Sequence, residues 1–212
     1  MIYIESVSKR IKGRRIFEGI TLRVEPGQIA GVTGPNGSGK SLLLELAAGI
    51  TRPDSGAVRV FGIDPFKRWN ESLKIIGYLA QDDLSRRMRR TKAIEYLRYL
   101  GSIHGLRGKK LRDRIEAMEK LFELEEMTDC PIERLSAGER IRLRLACEIV
   151  HDPKAVILDE PLIPLDARWR KIVTDLLKEL KNMGKAILIA SAYGEELKAI
   201  CDVHISLVPN NS

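Results

Sequence analysis

Residues 34–41 read GPNGSGKS and meet every fixed position of the pattern G-x-x-x-x-G-K-[ST], with Gly34, Gly39, Lys40 and Ser41 in place. Glycines let successive backbone N–H groups turn toward one point, and the N-terminus of a following helix adds the positive end of its dipole there. Such a loop cradles phosphates, and Pro35, Asn36, Gly37 and Ser38 complete it. In that chemistry Lys40 reaches the β- and γ-phosphates and Ser41 gives its hydroxyl to Mg2+. Two adjacent carboxylates, Asp159 and Glu160, end the apolar run AVILDE. Acids at the end of a buried strand call for a cation, so Asp159 suits Mg2+ and Glu160 suits the proton of an attacking water. Gln81 ends another apolar run, GYLAQ, and is a candidate contact to Mg2+ or to that water. A second glycine-bearing turn, Leu135, Ser136, Ala137, Gly138 and Glu139, opens the amphipathic run LSAGERIRLRLACEIV. Ser136 reads as a helix cap, which leaves Gly138 without a purpose of its own.

The elements that must hold these residues follow from periodicity. Short β-rich runs at 1–7, 20–24, 28–34, 57–62, 74–80, 155–160, 186–191 and 203–208 alternate with helical patterns, which predicts a layered α/β core of parallel strands. QIAGVT precedes the glycine-rich loop as a strand and SLLLELAAG follows it as a helix, the context the motif requires. From Thr91 to Met127 the pattern turns helical, in TKAIEYLRYLGSIHGL and KKLRDRIEAMEKLFELEEM, with apolar residues three and four apart. The reading is a helical lobe inserted into the core and packed on it.

Composition bounds the rest. The 212 residues suit one large domain or a core with a lobe, with 44% hydrophobic residues to build it. A net charge of +7 is compatible with nucleotide, anionic lipid or nucleic acid and separates none of them. No apolar run approaches the roughly 18 residues of a membrane span, and the opening MIYIESVSK has no secretory pattern, so the expectation is a cytoplasmic chain. Cys130, Cys147 and Cys201 are odd in number and unpaired in spacing, as expected of reduced thiols. His104, His151 and His204 lack a second His or Cys at ligand spacing and read as structural. The cluster Arg86, Arg87, Arg89 and Arg90 reads as a solvated loop, or as the flank of a surface near anionic headgroups.

With the phosphate loop, Gln81, LSAGE, ILDEP and PLDA in this order, the chain resembles the ATP-binding cassette family, the ATPase subunits of ABC transporters. The resemblance covers residues 2 to about 208 and is closest to the exporter-type branch whose membrane partners are called ABC-2. It implies a P-loop NTPase core with a mostly parallel sheet, an N-terminal antiparallel β subdomain and an inserted α-helical lobe. The domain expected is a single cassette over 1–212, with a core of 1–85 and 152–212 and a helical subdomain of about 86–151. The resemblance also implies ATP and Mg2+ as ligands, a second cassette as homo- or heterodimer partner, an integral-membrane transporter subunit as client, and no nucleic acid. The chain would then sit peripherally on the inner face of the cell membrane. The signature residues 135–139 would cap the γ-phosphate held by the facing subunit, which gives Gly138 a purpose. Two positions depart from the family pattern. Ile11 stands where an aromatic ring usually stacks on adenine, and Ala192 stands where a histidine usually contacts the γ-phosphate. Ala192 motivates a slow ATPase, or an ATP-gated cassette with little hydrolysis. A soluble ATPase with a non-membrane client is the other alternative.

Overall fold

A computed structural model describes residues 1–81, 88–191 and 199–208. The chain opens with a hairpin of β1 (Ile2–Ile11) and β2 (Arg14–Val24). Its turn is the pair Lys12 and Gly13, both at positive φ (51° and 82°), the conformation whose twist matches that of the flanking strands. Both strands are longer than their apolar runs suggested, because their outer ends carry exposed charged residues that period-2 reading passes over. β3 (Gln28–Thr33) leads through the glycine-rich loop into α1 (Lys40–Ala48), and β4 (Ser55–Val60) joins the hairpin as an antiparallel sheet of order β2-β1-β4.

Four further strands join β3 in a parallel sheet of order β5-β6-β7-β3-β8, with β5 Ile76–Leu79, β6 Ala155–Asp159, β7 Ala186–Ala190 and β8 Val203–Ser206. Central strands of such a sheet are covered on both faces, and the AVILD of β6 and the AILIA of β7 are buried at every position. Alternate residues serve opposite layers. Ala155 and Ile157 face α1 and the antiparallel sheet, where Leu43, Leu44, Ile4 and Val58 pack. Val156 and Leu158 face α5 (Ala137–Ile149) and α6 (Ala167–Asn182), where Leu143, Leu145, Val173 and Leu177 pack.

α5 joins that layer to the lobe, formed by α3 (Ala93–Ile103) and α4 (Gly108–Phe122), with Leu97, Ile115, Met118 and Phe122 buried between them. Both lobe helices are shorter than the periodicity predicts. α3 caps at His104 before Gly105 at φ 95°, and α4 stops where Glu123 turns left-handed at φ 49°. That break has a packing reason. On a continued helix Leu124 would leave the stripe of Ile115, Met118 and Phe122, whereas the break and a 3-10 turn at Glu125–Met127 bury both Leu124 and Met127. A short helix that periodicity did not show, α2 (Trp69–Ser72), precedes β5.

His104 and His151, distant in sequence, stack face to face with ring centroids 3.7 Å apart. His104 Nδ1 meets the Leu73 carbonyl and His151 Nε2 meets the Ile76 carbonyl at 3.2 Å, so the pair ties the end of the lobe's first helix to the core.

Candidate functional site

The glycine-rich loop is held in a shape that few residues other than glycine accept. Gly34 and Gly39 sit at φ 146° and 96°; a Cβ on Gly34 would come within 2.4 Å of the Leu207 carbonyl, and one on Gly39 within 2.7 Å of Ile16. Gly39 is also the N-cap of α1, whose first turn carries no acidic residue, so the positive end of the helix dipole faces the loop undiluted. Lys40, the first residue of α1, is 7% exposed and donates to the Gly34 carbonyl at 2.8 Å and the Pro35 carbonyl at 3.2 Å. Ser38 is buried, and its hydroxyl has no partner among the described residues.

A cleft of about 300 Å³ opens beside this loop and is lined by Asn36, Gly37, Lys40, Ser41, Gln81 and Glu160. Ile11 and Ile16 from the two arms of the hairpin line it too. Ile11 therefore reaches the cleft, 47% exposed, and brings only aliphatic surface. Ile16 was passed over in the sequence because nothing marks it until the hairpin register places it over the loop.

At the C-terminal ends of the strands, Asp159 ends β6 and is 1% exposed. Neither of its carboxylate oxygens has a partner in good hydrogen-bond geometry among the described residues. Burial raises its pKa, against the opposing pull of the Ser41 hydroxyl and the Lys40 ammonium. A buried carboxylate with open oxygens beside a serine hydroxyl suits a divalent cation, which would favour the ionised form. Glu160 follows at φ 49°, a left-handed conformation that costs a non-glycine residue on the order of 1 kcal/mol, and its N–H donates to the Ala190 carbonyl at 3.0 Å.

Gln81 and Glu160 also line a second, larger cavity of about 460 Å³, with Arg89, Ala137, Arg140 and Arg144. The signature run is placed on this side. Ser136 caps α5 through a reciprocal box: its hydroxyl accepts from the Glu139 N–H at 3.2 Å, and its own N–H donates to Glu139 Oε2 at 2.7 Å. These bonds hold the Glu139 carboxyl below its ordinary pKa. Leu135 is buried as an anchor while Ser136 and Ala137 are exposed. None of residues 135–139 lines the cleft beside Lys40, so one chain brings the loop, Gln81 and Glu160 to that cleft and keeps its signature off it, while Ala137 shares the larger cavity with Gln81 and Glu160. Arg140 and Arg144, whose positions on the cavity wall only the fold reveals, were not singled out in the sequence. Ala192, Arg86 and Arg87 lie outside the described residues.

Comparison with known proteins agrees with this fold. Residues 17–163 match the family described as ABC transporter. The chain is 33% identical over 202 residues to Nod factor export ATP-binding protein I of Sinorhizobium fredii, covering 95% of this chain and 58% of that protein. It is 31% identical over 206 residues to ABC transporter ATP-binding protein NatA of Bacillus subtilis, covering 95% and 83%. Among solved structures, the ATP-binding subunit of an ABC transporter superposes with a TM-score of 0.90 at 21% identity, over 98% of this chain and 85% of that one. A dimeric ATP-binding cassette in a post-hydrolysis state, bound to ADP and Pi, superposes at 0.87 with 21% identity over 100% and 97%. With its mixed α/β core of parallel and antiparallel sheets, the chain belongs to the ABC transporter family and has the fold of its ATP-binding cassettes.

Proposed function

We propose that this cassette binds ATP with Mg2+, hydrolyses it, and works as a dimer that powers an integral-membrane transporter subunit. The observation that carries the reading is the convergence of Lys40, Ser41, Gln81 and Glu160 on one cleft, with the open carboxylate of Asp159 at the strand end beside it. Loop residues 34–39 and the start of α1 hold the phosphates, Lys40 neutralises them, and Ile11 and Ile16 give the base apolar contact. Ser41, Gln81 and Asp159 would hold Mg2+, which supplies charge neutralisation on the phosphates when bound. Glu160 takes a proton from water as its oxygen bonds to the γ-phosphorus and the bond to the β,γ-bridging oxygen breaks, giving ADP and inorganic phosphate. In this reading the chain is one cassette domain over 1–212, with a core of 1–85 and 152–212 and a helical subdomain of about 86–151.

A shared site follows from what α5 leaves open. The Ser136 hydroxyl is exposed at the helix end, and in the shared site it would turn its proton from the Glu139 carboxylate to a phosphate oxygen of a facing subunit. The Ala137 and Gly138 N–H groups, in the first turn of the helix, are the backbone donors beside it. For the membrane partner, an apolar groove of about 160 Å³ lies at the junction of lobe and core, lined by Ile50, Trp69, Leu73, Tyr78, His104 and Glu148. Ile50 and Trp69 are half exposed, as are Tyr99 and Ile103 on α3. No helix among the described residues is long and apolar enough to cross a membrane, so the membrane role would come through that partner, with the chain on the inner face.

The test is sedimentation of a Glu160→Gln variant, which should hold ATP without turning it over. Dimers with Mg2+ and ATP, monomers with ADP, and monomers after Lys40→Ala are expected. A monomer at saturating ATP and high protein concentration would sink the shared site.

A further inference from the structure

Among the described residues β5 is an edge strand, bonded to β6 on one side, so the backbone groups along its other side need partners from elsewhere. Helix α5 supplies two, from side chains one turn apart. Glu148 Oε2 accepts from the Tyr78 N–H at 2.9 Å, and the Arg144 guanidinium donates to the carbonyl of Ala80, the residue before Gln81. The Arg144 bond comes from a permanently charged guanidinium and so is stronger than a neutral one. Helix and strand also touch directly, since a Cβ on Gly77 would come within 2.1 Å of the Glu148 carbonyl. The two side chains border different spaces. Arg144 lines the cavity shared by Gln81, Glu160 and Ala137, whereas Glu148 lines the apolar groove with Trp69 and His104. One rigid helix therefore carries Ser136 at its N-cap, then Arg144 at the root of Gln81, then Glu148 at the groove.

We propose that Arg144 and Glu148 are positioning residues that staple the signature helix to β5 and so fix Gln81 relative to Ser136. The proposal rests on reading that cleft as an ATPase site. Because the two bonds attach to backbone on either side of Leu79, α5 cannot shift along the strand without carrying the Ala80 carbonyl and Gln81 with it. A small displacement of a group that orients water or metal is enough to slow turnover while the phosphate loop still binds nucleotide.

The experiment uses the full chain with Mg2+ and ATP, as wild type and as Arg144→Met, Arg144→Lys and Glu148→Leu. It reads kcat, KM, the thermal midpoint and amide hydrogen exchange over residues 76–81. Arg144→Met should lower kcat about tenfold with KM within about twofold, and should speed exchange at 78–81 without a large change in thermal midpoint. Arg144→Lys keeps a cationic donor and should recover most of the rate and protection. Glu148→Leu should release the Tyr78 amide. The proposal is overturned if Arg144→Met leaves kcat and exchange unchanged. It is also overturned if kcat, KM and thermal midpoint deteriorate together and Lys behaves as Met does, the pattern of a mere packing defect. Faster exchange in Arg144→Met beside a wild type that does not hydrolyse ATP would instead sink the ATPase reading and leave the staple intact.

Discussion

The two glycine-bearing turns of this chain use glycine for different reasons. In the phosphate loop, Gly34 and Gly39 are demanded by the chain's own fold, through positive φ and through backbone and side chains that leave no room for a Cβ. In the signature turn, Gly138 has an ordinary helical φ, and a Cβ there would meet only the Pro164 carbonyl at 3.5 Å, a normal contact. A glycine that nothing inside the chain requires, in a helix that it weakens by about 1 kcal/mol relative to alanine, points to a requirement outside the chain. The phosphate-loop glycines answer to the chain's own fold, whereas Gly138 is what the proposed facing subunit would require.

Turnover should show the widest gap between holding a nucleotide and using it. In the proposed site Ala192 would bring a methyl group where the family pattern has a histidine for the γ-phosphate, so wild type should bind ATP well and hydrolyse it slowly. Ala192→His should raise the single-turnover rate roughly 10²-fold, the scale of one positioned electrostatic contact, with little change in affinity. A wild type that already turns over rapidly and gains nothing from the imidazole would refute this.

The glycines give the next largest contrast. Gly39→Ala should cost about 2 kcal/mol of folding stability, from left-handed strain plus the clash with Ile16, and should weaken nucleotide binding by the monomer. Gly138→Ala should leave the monomer as stable as wild type or up to about 1 kcal/mol more so, yet weaken ATP-driven dimerisation. Urea unfolding and sedimentation read both quantities. If Gly138→Ala dimerises normally with ATP, the proposed external role of that glycine falls.

The smallest effect concerns how the lobe and core are joined. Burial, with the neighbouring His104 ring, pushes His151 down to about 3, so below pH 6.5 the unfolded chain binds a proton that the folded chain refuses. Its contribution is complete above pH 6.5 and is lost as pH falls, on the order of 1 kcal/mol by pH 5.5. Glu148 acts in the opposite sense. Burial raises it to about 7, so the folded chain gains its proton first and is favoured as pH falls from about 7 toward the ordinary carboxyl range. His151→Asn should therefore make the protein lose less stability than wild type between pH 7.5 and 5.5. Parallel unfolding curves at both pH values, identical in their change, would remove His151 as the acid-sensitive member of the joint.

Much of this was legible in the residues alone. All eight strand runs, the phosphate loop between its strand and helix, and the acids at the end of β6 were readable because each rests on local periodicity or on a motif whose spacing is its mechanism. The order of those motifs also carried the family. Long-range packing decided the rest. The hairpin turn at Lys12 and Gly13 and the break at Glu123 depend on which side chains must be covered, and no window of sequence shows that. The stack of His104 on His151 needs two segments brought together, as does the placing of Ile16 over Gly39. So do the bonds of Arg144 and Glu148 to β5, where a helix side chain and an edge strand must meet before either residue differs from an ordinary charge on an amphipathic face. Sequence determined which groups could do chemistry, because that is a property of residue type and spacing; only the tertiary structure decided which groups share a cleft, because distance between remote segments is set by how the whole core packs.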